Sequence, residues 1–319
     1  MNNLLRLAAT KSHVAGHRSL STTAKASVTL EKHGQIGILR LNDPNRLNAL
    51  TADMGDRVEG LVQEITARAD EFRAIVLTGE GRAFSAGGDL EFLQKRSNDT
   101  TSRNTYVPPI PRPWWSYHLS LLPRLSVTMR KFYGRFLSLR SLPVPLVAAL
   151  NGPAIDAGMC ISLFADARVV AKDAKLGFTF VHLGLHPGMA CTHYLPLLVG
   201  EEKANYLLLS GKVITGDEAF KLGLATKVVD KVVMPAPVLH DVVAEAIKLA
   251  EELTSGSSIA TRSLLQTLRL KQDKDLDMAL HREATSQAVC YATADYREGV
   301  DAIASKRKPK FGSLEQYYT

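Results

Sequence analysis

Two short apolar runs, each cut off by a turn of small residues, constrain the fold of this 319-residue chain more than any other feature. Arg73-Ala-Ile-Val-Leu77 stops at Thr78-Gly-Glu-Gly81, and Leu146–Leu150 stops at Asn151-Gly152, having followed Pro143 and Pro145. Runs this short, bounded by glycine and proline, suit strands buried on both faces better than helices. Buried strands that alternate with helices indicate an α/β core. Helical patterns stand where they are needed. Thr51 offers an N-cap ahead of Met54, Val58, Leu61 and Ile65 at helical spacing, and a second pattern runs from Ala157 to Phe164. A further strand pattern follows at Ala167–Ala171.

Before this alternation, Ser27–Lys32 and Gln35–Asn42 read as two strands hinged at His33-Gly34, the second stopping at Asp43-Pro44. Thr215-Gly-Asp-Glu218 has the form of a capping box, in which threonine and glutamate each satisfy an amide of the helix start. From Pro237 onward helix follows helix, the first with Leu239, Val242, Val243, Ala246, Ile247, Ala250 and Leu253 on one stripe. The expectation is therefore an α/β core over residues 27–235 and an α-helical C-terminal part over residues 236–319. Residues 96–121 interrupt the core. Pro108, Pro109, Pro111 and Pro113 forbid helix and central strand there, while Trp114 and Trp115, the two tryptophans of the chain, favour an ordered loop.

Hydrophobic content of 45% and charged content of 22% are those of an ordinary globular protein. No apolar run approaches the roughly 20 residues of a membrane helix, so no membrane partner is expected. Cys160, Cys191 and Cys290 are odd in number and lack metal-ligand spacing, which fits a reducing compartment. The net charge of +7 would suggest nucleic acid, but Arg6, Lys11, Arg18 and Lys25 lie in an acid-free, serine- and threonine-rich leader. That leader, residues 1–26, has the composition of a mitochondrial transit peptide, and without its four cations the chain carries +3. A matrix protein that binds no nucleic acid is the simpler expectation.

Two segments carry chemistry. Gly81-Arg-Ala-Phe-Ser-Ala-Gly-Gly-Asp89 is a turn of small residues directly after a buried strand, so a ligand can approach its amides. It is neither a P-loop nor a dinucleotide fingerprint. Asn151-Gly-Pro-Ala-Ile-Asp-Ala-Gly-Met-Cys160 joins a strand to a helix whose first N–H groups lack partners. Backbone donors converging from two such turns can stabilise an enolate or a tetrahedral oxyanion.

Phe84-Ser-Ala-Gly-Gly-Asp89, Asn151-Gly-Pro-Ala-Ile and Asp166 in Ala165-Asp-Ala-Arg resemble the enoyl-CoA hydratase/isomerase (crotonase) superfamily. So do Leu47-Asn-Ala-Leu50, Gly184-Leu-His-Pro-Gly188, Leu209-Ser-Gly-Lys-Val-Ile-Thr-Gly-Asp-Glu-Ala219, Gly223-Leu-Ala-Thr-Lys-Val-Val229 and Lys306-Arg-Lys-Pro-Lys-Phe311. The likeness runs in order over residues 27–311, apart from the Pro/Trp-rich insert. It implies a spiral of ββα turns with a helical C-terminal region that makes a homotrimer, commonly paired into a hexamer. It also implies an acyl-CoA substrate, with coenzyme A entering as part of that substrate and no separate cofactor or metal. By position, the oxyanion donors fall on the amides of Gly88 and Ala157. Contacts to coenzyme A fall on Arg46, Ala86, Gly88, Asp89 and Leu90, and Lys306 would approach from a neighbouring subunit.

The resemblance breaks at the acid–base residues. Hydration of an enoyl thioester needs one group to take a proton from water and another to deliver one to the α-carbon. The family's two glutamate positions fall on Cys160 and Phe180, and the aspartate of some family hydrolases falls on Gly188. Candidates to compensate are His186, whose imidazole titrates near neutrality, and Cys160, a thiol at a helix start. His182 and Glu91 are further titratable groups nearby. Asp156 adjoins the oxyanion turn; an acid role is open to it, and capping of the helix from Ala157 is the simpler expectation. The function so implied is that of an acyl-CoA-binding enzyme of enoyl-CoA hydratase or isomerase type, in mitochondrial fatty-acid or branched-chain amino-acid breakdown. The alternatives are a non-catalytic CoA-binding homologue and a thioesterase resembling 3-hydroxyisobutyryl-CoA hydrolase.

Overall fold

A computed structural model describes residues 27–98, 123–230 and 241–312. The leader, most of the Pro/Trp-rich insert and the start of the C-terminal part lie outside the described residues. Strands β1 (Val28–His33) and β2 (Ile36–Leu41) pair antiparallel across Gly34, whose φ of +59° suits the tight reversal. From β2 the sheet continues in parallel through β3 (Ala74–Gly79), β4 (Leu146–Leu150), β6 (Ala167–Ala171) and β9 (Lys227–Val229). Every residue of β3, β4 and β6 is buried, which is why their sequences are mainly apolar rather than alternating; the one charge, Arg168 in β6, donates to the carbonyls of Leu224, Ser162 and Ala165. A smaller sheet joins β5 (Ala154–Ile155), β7 (Lys175–Gly177) and β8 (Val213–Thr215).

The helices read from the sequence are present, and Pro123–Leu137, Cys191–Val199 and Glu201–Ser210 add three that no pattern announced. Thr51 accepts from the Met54 amide and caps the helix Ala52–Ala67, which buries Met54, Val58, Leu61 and Ile65 on the sheet side. Both halves of the Thr215–Glu218 capping box are present. The short helix after the second turn ends at Ser162, two residues before the expected Phe164. Helix Leu90–Asn98 extends into the first residues of the expected insert. Four helices, Asp241–Leu253, Ser258–Gln272, Leu276–Tyr291 and Ala294–Ala304, make up the C-terminal part among the described residues.

One buried ion pair ties that helical part to the sheet. The Arg269 guanidinium pairs with Asp166 at 2.6 Å and also donates to the carbonyls of Arg140, Leu142 and Val144. Asp166 in turn accepts from the Leu146 amide, the first residue of β4, at 2.8 Å. The strand that leads to the second turn is thus positioned from outside the sheet. Arg269→Ala removes the nearer cation from Asp166, which keeps the Leu146 amide and Arg140 at 3.7 Å, and takes a donor from three carbonyls; it is expected to lower unfolding stability by about 3 kcal/mol, measured by urea titration.

Candidate active site

The two glycine-rich turns meet because nothing larger than hydrogen separates them. An added Cβ on Gly158 would stand 2.5 Å from the Ser85 carbonyl oxygen, and one on Gly87 would stand 2.6 Å from that of Ile155. Across this contact the two segments form a parallel bridge, Ile155 donating to Ser85 at 3.1 Å and Ser85 donating to Pro153 at 3.1 Å. The Asn151 side chain donates to the carbonyls of Gly79 and Gly81, and that of Asn48 to those of Glu80 and Ala83. Leu47-Asn-Ala-Leu50 braces the first turn from its other side: the Leu50 amide donates to Gly87 and the Ala86 amide to Leu47.

With these bonds made, the amides of Gly88 and Ala157 donate to no group among the described residues. Both face one cavity of about 530 Å³. Much of its wall is apolar, built from Phe92, Leu93, Met129, Phe132, Phe180, Leu183, Leu185 and Met189. Arg46, Ala86 and Asp89 line the same cavity. Arg46 bridges Asp43 at 2.7 Å and Asp89 at 3.6 Å. Leu90 opens the helix beyond them. This arrangement can receive a thioester oxygen at two preorganised donors and bury an acyl chain beside it.

The acid–base candidates fare differently. Cys160 is fully buried and is not part of the cavity wall, and burial pushes its thiol above the ordinary range, which does not favour a thiolate at the thioester. His186 also lies off the cavity wall. Its Nδ1 sits 2.6 Å from the Pro187 carbonyl and burial lowers its pKa, which makes it a loop-bonding histidine rather than a proton carrier at the thioester. Lys306 is exposed, at φ +52° just past the last helix, and off the cavity wall of its own chain. His182 and Glu91 are exposed and off the wall as well. Phe180 does face the cavity, an apolar ring at one of the two glutamate positions. At Gly188 a Cβ would meet the Tyr133 hydroxyl at 2.5 Å and the Gln287 amide at 2.8 Å, so a side chain there would have to displace them.

Asp156 corrects the expectation of a helix cap. Its side chain makes no capping bond. Instead both carboxyl oxygens accept from the Thr179 hydroxyl, at 3.0 and 2.9 Å, on the wall of the cavity. Burial pushes this carboxyl up to about 7, against which the Thr179 bonds pull only partly. The sequence held one clue to it: Asp156 is the single charged residue in the run Gly152-Pro-Ala-Ile-Asp-Ala-Gly158. A second buried carboxyl, Glu283, had no such signal. It accepts from the amides of Ala190 and Thr192 at 2.7 and 3.0 Å and fixes the loop at Met189 and Ala190, both at positive φ, that closes the cavity. Burial raises it to about 7 also.

The model of the enoyl-CoA hydratase/isomerase family matches residues 31–110 and 124–314. The chain is 31% identical over 295 residues to the crotonyl-CoA hydratase of Syntrophomonas wolfei, covering 90% of this chain and 98% of that one. It is also 31% identical over 274 residues to the 1,2-epoxyphenylacetyl-CoA isomerase of Escherichia coli, covering 86% and 93%. A crystal structure of an enoyl-CoA hydratase/isomerase from Mycobacterium paratuberculosis superposes with a TM-score of 0.70 at 27% identity, covering 86% of this chain and 98% of that one. The chain belongs to the enoyl-CoA hydratase/isomerase family and has the crotonase fold. It is an enzyme of lyase or isomerase type.

A carboxyl raised from 3.8 to about 7 binds a proton in the folded chain that the unfolded chain has released. Its stabilising effect is complete below pH 4 and is lost as pH rises through 7. Asp156→Asn is therefore expected to match the wild type near pH 4 and to be more stable at pH 8, by on the order of 4 kcal/mol. Urea titrations at the two pH values measure it.

Proposed function

We propose that this chain is a mitochondrial matrix enzyme that acts on an enoyl-CoA or related acyl-CoA thioester through an enolate. The observation that carries the reading is the pair of unoccupied amide donors, Gly88 and Ala157, opening on one apolar cavity. Two free backbone donors on one cavity suit an oxygen that gains charge during reaction. The apolar wall suits an acyl chain, and exclusion of water strengthens the donors further. The adenine and pantetheine portions would run past Arg46, Ala86, Asp89 and Leu90, with Lys306 contributed by a neighbouring subunit of a trimer or hexamer. The acid-free leader supports the mitochondrial address. A thioesterase of the hydrolase type is disfavoured, since Tyr133 and Gln287 fill the space beside Gly188.

If an enolate forms, the α-protons of a saturated acyl-CoA exchange with solvent. Incubating the protein with butyryl-CoA in D2O is expected to remove the α-proton NMR signal faster than the protein-free control does. Tight binding of butyryl-CoA with no exchange would overturn the reading. Arg46→Ala is expected to raise KM for acyl-CoA about tenfold and leave kcat nearly unchanged, because a charge that holds the coenzyme stabilises ground and transition states alike.

A further inference from the structure

Asp156 occupies a backbone conformation that only glycine adopts without strain, φ +48° and ψ −121°. Its neighbours enforce that conformation. The Asp156 amide donates to the Gly177 carbonyl at 2.8 Å, and its own carbonyl accepts from the Cys160 amide at 2.9 Å. The outcome is a largely buried carboxyl on the cavity wall, one residue from the Ala157 donor. It has no cationic partner among the described residues: Arg46 is engaged by Asp43 and Asp89. Asp89, the other acid of the cavity, is engaged in turn by Arg46. Strain and burial at one side chain, both unfavourable, are the pattern of a residue retained for chemistry.

Resting on the enolate reading of the same cavity, we propose that Asp156 is the catalytic proton carrier, and that with one carboxyl the enzyme shifts a double bond rather than adding water. In a 3-enoyl thioester the Asp156 carboxylate takes a proton from C2. The C2–H electrons move into the thioester, and the amides of Gly88 and Ala157 receive the oxyanion of the resulting dienolate. The carboxyl then returns its proton to C4, a C4–H bond forms, and the double bond comes to rest between C2 and C3. The proton leaves and re-enters through one group, so no water, oxidant or second acid is consumed. Water addition would need a second proton carrier. The two positions where the family resemblance expects a glutamate hold Phe180, an apolar ring on the cavity wall, and Cys160, buried away from it. Thr179, whose hydroxyl proton is shared between the two carboxyl oxygens, is a positioning residue that holds the carboxyl at the cavity wall.

The test compares the full chain with D156N and D156G, using 3-hexenoyl-CoA and crotonyl-CoA as substrates and butyryl-CoA as the binding probe. The wild type is expected to form the conjugated 2-enoyl thioester, read by ultraviolet absorbance, at least about 100-fold faster than it hydrates crotonyl-CoA. Both variants are expected to lose about 100-fold or more in isomerisation while binding butyryl-CoA within about threefold of the wild type. D156G, which removes the strain, is expected to melt no lower than the wild type, so its loss of activity is not a loss of fold. Isomerisation retained by both variants overturns the role of Asp156 and leaves the enolate reading standing. Hydration faster than isomerisation overturns the choice of reaction. Failure of the wild type to bind butyryl-CoA overturns the enolate reading itself, and the proposal with it.

Discussion

The contact between Gly158 and Ser85 is the constraint on which the rest of this site depends. Two chain segments some seventy residues apart meet there with backbone against backbone, closer than any side chain permits. Only that approach lets the bridge between Ser85 and Ala154 form, and only the bridge aligns the Gly88 and Ala157 amides on one cavity. The parallel strands β3 and β4 deliver the two turns side by side, and the Asn151 side chain staples them by bonding the carbonyls of Gly79 and Gly81. Fold and function share this one joint.

A site made of main-chain donors divides its labour in a particular way. The donors cost nothing to orient during reaction, because strand and helix hold them beforehand, and each such donor is worth roughly 3 kcal/mol to a developing oxyanion. They survive changes of side chain around them. The groups that choose among reactions are side chains, and these can change while the hole persists. Here the apolar Phe180 and the occupied space at Gly188 narrow the choice, and Asp156 is the carboxyl on the wall that no cation neutralises among the described residues.

Much of this was legible in the sequence, for local reasons. Strands β3 and β4 lie where apolar runs meet glycine and proline, and the caps at Thr51 and Thr215 follow from single side chains bonding amides three residues away. The glycines of both turns announced close backbone approach. What stayed hidden depends on partners distant in sequence. That Asp156 would bond Thr179 rather than cap its own helix is set by the amide bond to Gly177, which fixes a positive φ no residue pattern reveals. That Cys160 would face the core and not the cavity follows from helix rotation, and the Tyr133–Gln287 bond that closes the space at Gly188 joins residues 154 positions apart. Glu283 reaches from its helix to accept from the Ala190 and Thr192 amides, partners some ninety residues away.

The central claim is that two backbone amides polarise one thioester carbonyl. Its most direct measurement is the infrared carbonyl stretch of butyryl-CoA labelled with carbon-13 at the thioester, free in water and bound to the protein. Two preorganised donors in a site closed to solvent withdraw electron density from the carbonyl more strongly than water does. The account predicts a bound band shifted to lower frequency than in water. A bound band at the frequency of the free thioester, or above it, would contradict the account.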